Sequence, residues 1–346
     1  MKKTSISDIA RELKVSPALV SLILNGKARE ARISKEIEFK VKELAKKLNF
    51  KPNYMAQSLR SGRSHTIGVI VADISSNFFS AIAKSIEDES AKFGYQVMFG
   101  SSDENPEKFT ELINVFKDRR LDGYIIAPSL GTEKQILQLK KENIRFVLID
   151  RQFPKIKSDY IVVDNYNASF NAVQHLIKNG YRNIGMLSTL SKNYNLKLRV
   201  EGYKDVLRKN DLLVKTKLIR EIDFLEMKKG VDRELQDLLL GSKPVDALFF
   251  TNYHMTGYAL EKIYDLGIKV PEVLAIISFD DPRCFRYSFS PVTAISQPID
   301  EMGKQAVHIL MERIQNPSPN QTEFKQIILP TGFNIRESCG YNLKKH

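Results

Sequence analysis

Two spacings of apolar residues divide the chain. Over the first fifty residues the spacing is helical. Ser5 and Asp8 stand three apart, as in a capping box, and Ile9, Ala10 and Leu13 follow on one face. Ser16 caps a second helix with Pro17 at its first position, where a missing N–H costs nothing. Val20, Ile23 and Leu24 form its buried stripe, and Asn25-Gly26 ends it. A third helix is predicted from about Ser34 to Leu48, with Ile37, Val41, Leu44, Ala45 and Leu48 inward and Lys40, Lys42, Lys46 and Lys47 outward. From residue 64 onward, short apolar runs alternate with amphipathic helical stretches. Strands are predicted at 66–72, 96–100, 123–127, 146–149, 184–188, 247–251, 274–278 and 293–296. Helices are predicted at 78–93, 106–119, 133–143, 166–179 and 196–210. That alternation predicts two successive α/β units with parallel sheets behind an all-α head.

Charge sharpens the division. The 346 residues carry a net charge of +12. Residues 1–63 hold 15 basic and 6 acidic side chains, and the remaining 283 hold 38 and 35. A small basic head before a nearly neutral body predicts a polyanion partner for the head, most commonly nucleic acid. Two short helices joined at Lys14-Val15 read as a helix-turn-helix, with an ordinary helical bundle as the alternative. In a helix-turn-helix the second helix enters the major groove N-terminus first. Pro17, Ala18, Ser21 and Leu22 then reach base edges, with Asn25 at the helix end. The capping hydroxyls of Ser5 and Ser16 contact phosphates.

Other classes recede. No apolar run approaches twenty residues, so no membrane span is expected. Asp8 precedes any apolar stretch, the pattern of a chain without a secretory signal. Cys284 and Cys339 are too few for a disulfide framework, so a reducing cytoplasm is expected. With five scattered histidines, neither a metal nor a cofactor is expected. No Walker lysine, dinucleotide glycine loop, nucleophile elbow or metal-spaced histidine pair is present, and no enzyme is expected.

Ligands of open α/β sheets bind beyond the C-terminal ends of strands. Asp150-Arg151, Asn252, Asp280 and Gln297 all follow predicted strands, and Arg199 lies near the start of a helix. Carboxylates, amides and guanidinium forks suit sugar hydroxyls, which both donate and accept. Phe78 and Phe79 follow the first strand of the body; one is expected in the core and one facing a ligand ring. Asp150-Arg151 could instead be an ion pair, and Asp280 could cap a turn with Asp281. Tyr194 and Lys197 are weaker candidates for the rim.

The order of motifs resembles one family throughout. Ile6 to Gly26, Ile33-Ser34, Phe50-Lys51-Pro52-Asn53, Ala56-Gln57-Ser58-Leu59-Arg60, Thr66 to Val71, Val147 to Arg151, Val162 to Asn165, Arg199 with Gly202-Tyr203, Ser278 to Asp281 and Ser296-Gln297-Pro298 follow its spacing. The chain resembles the lactose-repressor/galactose-repressor family of transcription factors. The resemblance implies a helix-turn-helix head at 1–50, a hinge helix and linker at 51–63, and a periplasmic-binding-protein-like core at 64–346 of two doubly wound parallel-sheet lobes. It implies a first lobe of about 64–162 plus 294–325 and a second of about 163–293 plus 326–346, with crossovers near 161–164, 290–295 and 323–327. Asn53, Ala56, Gln57, Leu59 and Arg60 would contact DNA through the hinge, Leu59 as a wedge in the minor groove. Phe78, Phe79, Asp150, Arg199, Asn252, Asp280 and Gln297 would line an effector cleft.

The implied partners are a double-stranded operator, a second copy of the chain and a small effector, with no membrane. The helix at Phe78 and one from about Glu261 would contribute to the dimer face. No leucine heptads follow, so no tetramerising coil is expected. The effector is expected to be a sugar or sugar derivative, with a purine as the alternative within the family. A solute-binding transport protein is the alternative outside it, disfavoured by the basic head. Two departures matter. Many relatives carry Thr and Arg where this chain has Leu19 and Leu22, and Asp where it has Tyr253. The first predicts an operator read through thymine methyls and DNA shape rather than guanine contacts. The second alters the cleft rim.

Overall fold

The computed structural model describes residues 5–50, 62–317 and 323–343. It divides into two compact units, Met1–Ser64 and His65–His346. The first holds α1 (Ile6–Leu13), α2 (Pro17–Leu24) and α3 (Lys35–Lys47). Each helix starts where a serine hydroxyl accepts a backbone N–H: Ser5 from Asp8, Ser16 from Leu19, Ser34 from Ile37. Asp8 returns the favour by accepting the Ser5 N–H at 2.9 Å, which completes the capping box. Lys14, with φ of 52°, turns the chain between α1 and α2. Ile9, Val20, Ile23 and Val41 are fully buried at the centre. Each contributes about 1.5–3 kcal/mol by leaving water. Ala28, in the segment between α2 and α3, closes this core from the side.

The second unit repeats one architecture twice. The first sheet contains β1 (Thr66–Val71), β2 (Gln96–Ser101), β3 (Gly123–Ile126), β4 (Phe146–Ile149) and β5 (Tyr160–Val163). The helices α4 (Asn77–Lys92), α5 (Pro106–Asp118) and α6 (Glu133–Lys141) join its first four strands. The second sheet contains β6 (Ile184–Thr189), β7 (Ile219–Ile222), β8 (Ala247–Phe250), β9 (Ala275–Phe279) and β10 (Thr293–Ser296). Around it lie α7 (Asn165–Lys178), α8 (Tyr194–Lys209), α9 (Met227–Leu240) and α10 (Tyr253–Asp265). After α11 (Ile299–Gln315), β11 (Gln326–Leu329) joins the first sheet and β12 (Gly332–Asn334) the second. Among the described residues the strand orders are β11-β5-β4-β3-β1-β2 and β12-β10-β9-β8-β6-β7, the same order twice. All pairings are parallel except β10 with β12. The central strands are buried on both faces, as parallel strands covered by helices must be.

The lobe boundaries differ from those expected. Thr293–Ser296 pairs with β9 in the second sheet, and Gln326–Leu329 pairs with β5 in the first. The chain therefore passes between sheets near 164, 297–298 and 330–331, not at 290–295 and 323–327. Strand pairing decides the boundary, and neither hydrophobic period nor the order of motifs records it. Similarly, the helix expected from about Glu261 begins at Tyr253, where Asn252 caps it. Gly202 sets how closely α8 lies on α7: a Cβ there would stand 2.4 Å from the Tyr166 carbonyl oxygen. That approach carries Arg199, one turn earlier, toward the cleft. No helix among the described residues is long and apolar enough to cross a membrane. No cluster of potential metal ligands is found among them.

Candidate effector cleft and DNA-reading face

In the head, α2 presents Pro17 and Ala18 to solvent, with Leu22 at 37% exposure and Asn25 beyond it. Ser21 does not share that face. It is only 7% exposed, and its hydroxyl accepts a hydrogen bond from the Asn25 side chain at 3.2 Å. Its neighbour Val20 faces the core, and a side chain as small as serine is covered with it. The open face of α2 is therefore Pro17, Ala18 and Leu22, none of which can donate to guanine. Ser5 and Ser16 are exposed, but both hydroxyls serve the helix caps. Exposed Lys27, Arg29, Arg32 and Lys35 surround the segment between α2 and α3. Asn53, Ala56, Gln57, Leu59 and Arg60 lie outside the described residues.

In the second unit, the strand ends bring most of the expected cleft residues together. Asp150 follows β4 and Asp280 follows β9, equivalent positions in the two sheets. Both have left-handed backbones, with φ of 67° and 71°. Aspartate tolerates that region better than most residues. Asp150 is 5% exposed and Arg199 4% exposed. Arg199 is held on three sides. Its Nε donates to Asn165 Oδ1 at 2.7 Å, its Nη1 donates to the Thr251 carbonyl at 2.6 Å, and its guanidinium lies 3.4 Å from the Phe279 ring centre. These bonds use two of its five N–H donors.

Burial raises the pKa of Asp150, opposed by the charges of Arg151 and Arg199. Burial likewise raises that of Asp280, opposed by Arg199 and by the hydrogen bond from Gln297. Burial lowers the pKa of Arg199, while Asp280 and Asp150 hold it up. Arg199 thus couples to the carboxylate of each lobe.

Arg151 does not bridge the lobes. Its Nη atoms donate to both oxygens of Glu104, at 2.8 and 2.6 Å, within the first lobe. Its Nε lies 3.3 Å from Asp150 Oδ2 without hydrogen-bond geometry. Burial works against its charge, but Glu104 and Asp150 outweigh it and raise its pKa. Phe79 lies beneath, 7% exposed, its ring centre 5.9 Å from the guanidinium. Phe78 is half-buried and meets Phe79 edge-on at 5.1 Å. Phe79 is therefore the core ring of the pair.

In the second lobe, Gln297 donates to Asp280 Oδ1 at 2.6 Å, while its own Oε1 is buried without a hydrogen-bond partner among the described residues. Asn252 donates to Thr189 Oγ1 at 3.0 Å and caps α10. Asp281 turns away from the cleft into a pair with Arg336. Lys197 is exposed and pairs with Glu201, and Tyr194 is half-buried.

Sequence reasoning missed Glu104 and Asn165. Glu104 lies just past the end of β2, where the strand-end rule applies to it too. Asn165 follows β5, which is not among the predicted strands. Together these residues make an array of acceptors and forked donors with one aromatic wall, in which Asp150, Asn165 and Arg199 are buried and Glu104, Arg151, Asn252, Asp280 and Gln297 half-buried. The array holds three carboxylates, on Glu104, Asp150 and Asp280, against two guanidinium groups.

Comparison with known proteins places both units. A family model described as "Bacterial regulatory proteins, lacI family" matches residues 5–53, and one described as "Periplasmic binding protein-like domain" matches residues 173–339. Catabolite control protein A of Priestia megaterium is 31% identical over 336 residues, covering 93% of this chain and 98% of that protein. The chain belongs to the lacI family of bacterial regulatory proteins. Two solved structures extend the likeness. The lac repressor dimer bound to operator aligns with a TM-score of 0.86 at 22% identity, over 98% of this chain and 99% of that one. A LacI-family regulator from Enterococcus faecium with bound ribose aligns with a TM-score of 0.69 at 27% identity, over 79% and 98%. The protein is thus a LacI-family transcriptional regulator with a helix-turn-helix head and a two-lobed α/β core.

Proposed function

We propose that this regulator binds a near-palindromic operator as a homodimer and represses until an uncharged sugar or sugar derivative changes its operator affinity. Residues 1–50 enter the major groove, 51–63 form the hinge with Leu59 as the minor-groove wedge, and 64–346 hold the effector. Two-fold protein symmetry matches the two half-sites. Pro17, Ala18 and Leu22 touch thymine methyls, Asn25 and the basic residues around it contact the backbone, and no catalytic step is assigned.

One observation carries the effector class. Asp150 and Asp280 end equivalent strands of the two lobes with left-handed backbones, beside Arg199, which is buried and held by Asn165 and the Thr251 carbonyl. The strand ends then supply both acceptors and forked donors, which is what sugar hydroxyls, themselves donors and acceptors, need. The buried Gln297 Oε1 awaits a donor such as a hydroxyl. Asn252 adds an amide, and Phe78 a ring for the apolar face of a pyranose or furanose. The excess of carboxylates disfavours a phosphorylated ligand. The edge-to-face Phe78–Phe79 pair offers one ring rather than two parallel faces, which favours a sugar over a stacked purine. Ribose in the Enterococcus faecium relative supports the same class.

Effector and operator are linked thermodynamically, so each changes the other's affinity by the same factor. The test is operator affinity of the full-length protein with each of a panel of neutral sugars, D-ribose first, at fixed salt. A shift by at least about fivefold with one sugar, absent in Asp280→Asn, is the expected result. Unchanged operator affinity across the panel, together with a response to a purine base, would replace the sugar by the purine reading.

A further inference from the structure

One side chain crosses between the lobes beside this site. Tyr253 begins α10 in the second lobe, and its hydroxyl reaches the start of α4 in the first. The hydroxyl oxygen accepts the backbone N–H of Asn77 at 2.9 Å, and its proton is donated to Ser76 Oγ at 3.2 Å. Ser76 stands at the N-cap of α4, yet its own side chain makes no cap hydrogen bond. The tyrosine of the opposite lobe therefore does for α4 what a serine or aspartate does within its own helix. The phenol is seated rather than loose: its ring lies 4.0 Å from that of His254, inclined by 31°. Its main chain is tied as well. Asn252, immediately before it, caps the same helix and donates to Thr189 Oγ1 at 3.0 Å.

We propose that Tyr253 is a cross-lobe clasp. Its side chain holds the first turn of α4 against the second lobe, and the helix start it shares with the cap Asn252 joins that contact to the cleft. A ligand that engages Asn252 then acts on the lobe contact through the adjacent residue. The transmission half of this inference rests on Asn252 belonging to the effector site; the clasp itself does not. Tyr253 is a positioning residue: no ligand contact is assigned to its hydroxyl.

The test uses full-length wild-type protein, Tyr253→Phe, and Tyr264→Phe as a control at an exposed position of the same helix. Backbone hydrogen exchange is followed in the peptide spanning residues 75–80. Loss of one cap hydrogen bond should speed exchange in that peptide about tenfold in Tyr253→Phe and leave it unchanged in Tyr264→Phe. Equal exchange in wild type and Tyr253→Phe overturns the clasp whatever the effector is. Operator affinity is measured on the same proteins with DNA selected by the wild type. A change of at least about threefold in Tyr253→Phe supports transmission to the DNA-bound state. Faster exchange with unchanged operator affinity overturns transmission while leaving the clasp. The phenylalanine keeps the ring packed on His254, so the thermal midpoint of Tyr253→Phe serves as the check that the core still folds.

Discussion

The two lobes share a strand order but divide the chemistry. Each sheet places an aspartate with a left-handed backbone at the end of its fourth strand, Asp150 in one and Asp280 in the other. Around Asp150 the first lobe supplies two phenylalanines and a guanidinium already satisfied by Glu104. Around Asp280 the second lobe supplies Gln297, Asn252 and Arg199, groups with capacity left over. The first lobe is a preformed apolar wall with a fixed charge, and the second is a set of open hydrogen-bonding groups. A repeated scaffold can therefore present two unlike surfaces to one ligand, which suits a sugar ring with an apolar face and a polar edge.

The largest expected effect comes from removing the charge common to both halves. Arg199→Ala leaves the buried carboxylate of Asp150 and the half-buried one of Asp280 with less compensation and strands Asn165 and the Thr251 carbonyl. The expected loss of stability is about 3–5 kcal/mol, seen as a lowered thermal midpoint. A loss below 1 kcal/mol would mean that the lobes are not joined electrostatically through Arg199.

Next, the two aspartates separate function from stability. Asp280→Asn should weaken sugar binding by at least about tenfold, since a charged acceptor becomes neutral. The same change should leave the free protein as stable as wild type, or more stable by about 1 kcal/mol, because burial penalises the charge. The pH dependence has a definite sign. Burial raises the folded-state pKa of Asp150 and Asp280 above the unfolded value. Their protonation therefore favours the folded state below the ordinary carboxylate range, and that contribution is lost as pH rises through the folded pKa. The stability advantage of Asp280→Asn over wild type should shrink as pH falls from 7 to about 3.5, in paired thermal melts. A widening gap would contradict the assigned sign.

Glu104→Gln tests whether the first lobe's charge is preformed. It halves the charge balance around Arg151 and should reduce sugar affinity severalfold, with about 1–2 kcal/mol of stability lost. If affinity falls as far as in Asp280→Asn, the two lobes do not play different parts. The smallest effect is expected in the head. Leu22→Ala should lower operator affinity by less than about tenfold without admitting guanine beneath α2, as read by binding-site selection.

How much was legible follows from distance in sequence. The head was legible almost to the residue, because caps, Pro17 and the apolar stripes act within one or two turns. Ser21 was misplaced, since covering a small polar side chain depends on Asn25 folding over it. In the core, strand ends signalled Asp150, Asn252, Asp280 and Gln297, and the family resemblance signalled Arg199. What holds those residues was not legible. Glu104 meets Arg151 across 47 positions, and Asn165 meets Arg199 across 34. The lobe boundaries failed for the same reason: β11 finds β5 more than 160 residues away. Tyr253 was visible as a departure from the family, but its reach to Ser76 and Asn77 was not.

The central claim is that one uncharged polyol is held between an apolar wall and a hydrogen-bonding lobe. Calorimetric titration of the full-length protein with neutral sugars, each beside its phosphate ester, tests it most directly. One neutral sugar should bind, its ester should bind at least about tenfold more weakly, and Asp150→Asn and Asp280→Asn should each lose affinity. Tighter binding of an ester than of its parent sugar, or sugar binding indifferent to both substitutions, would contradict the account.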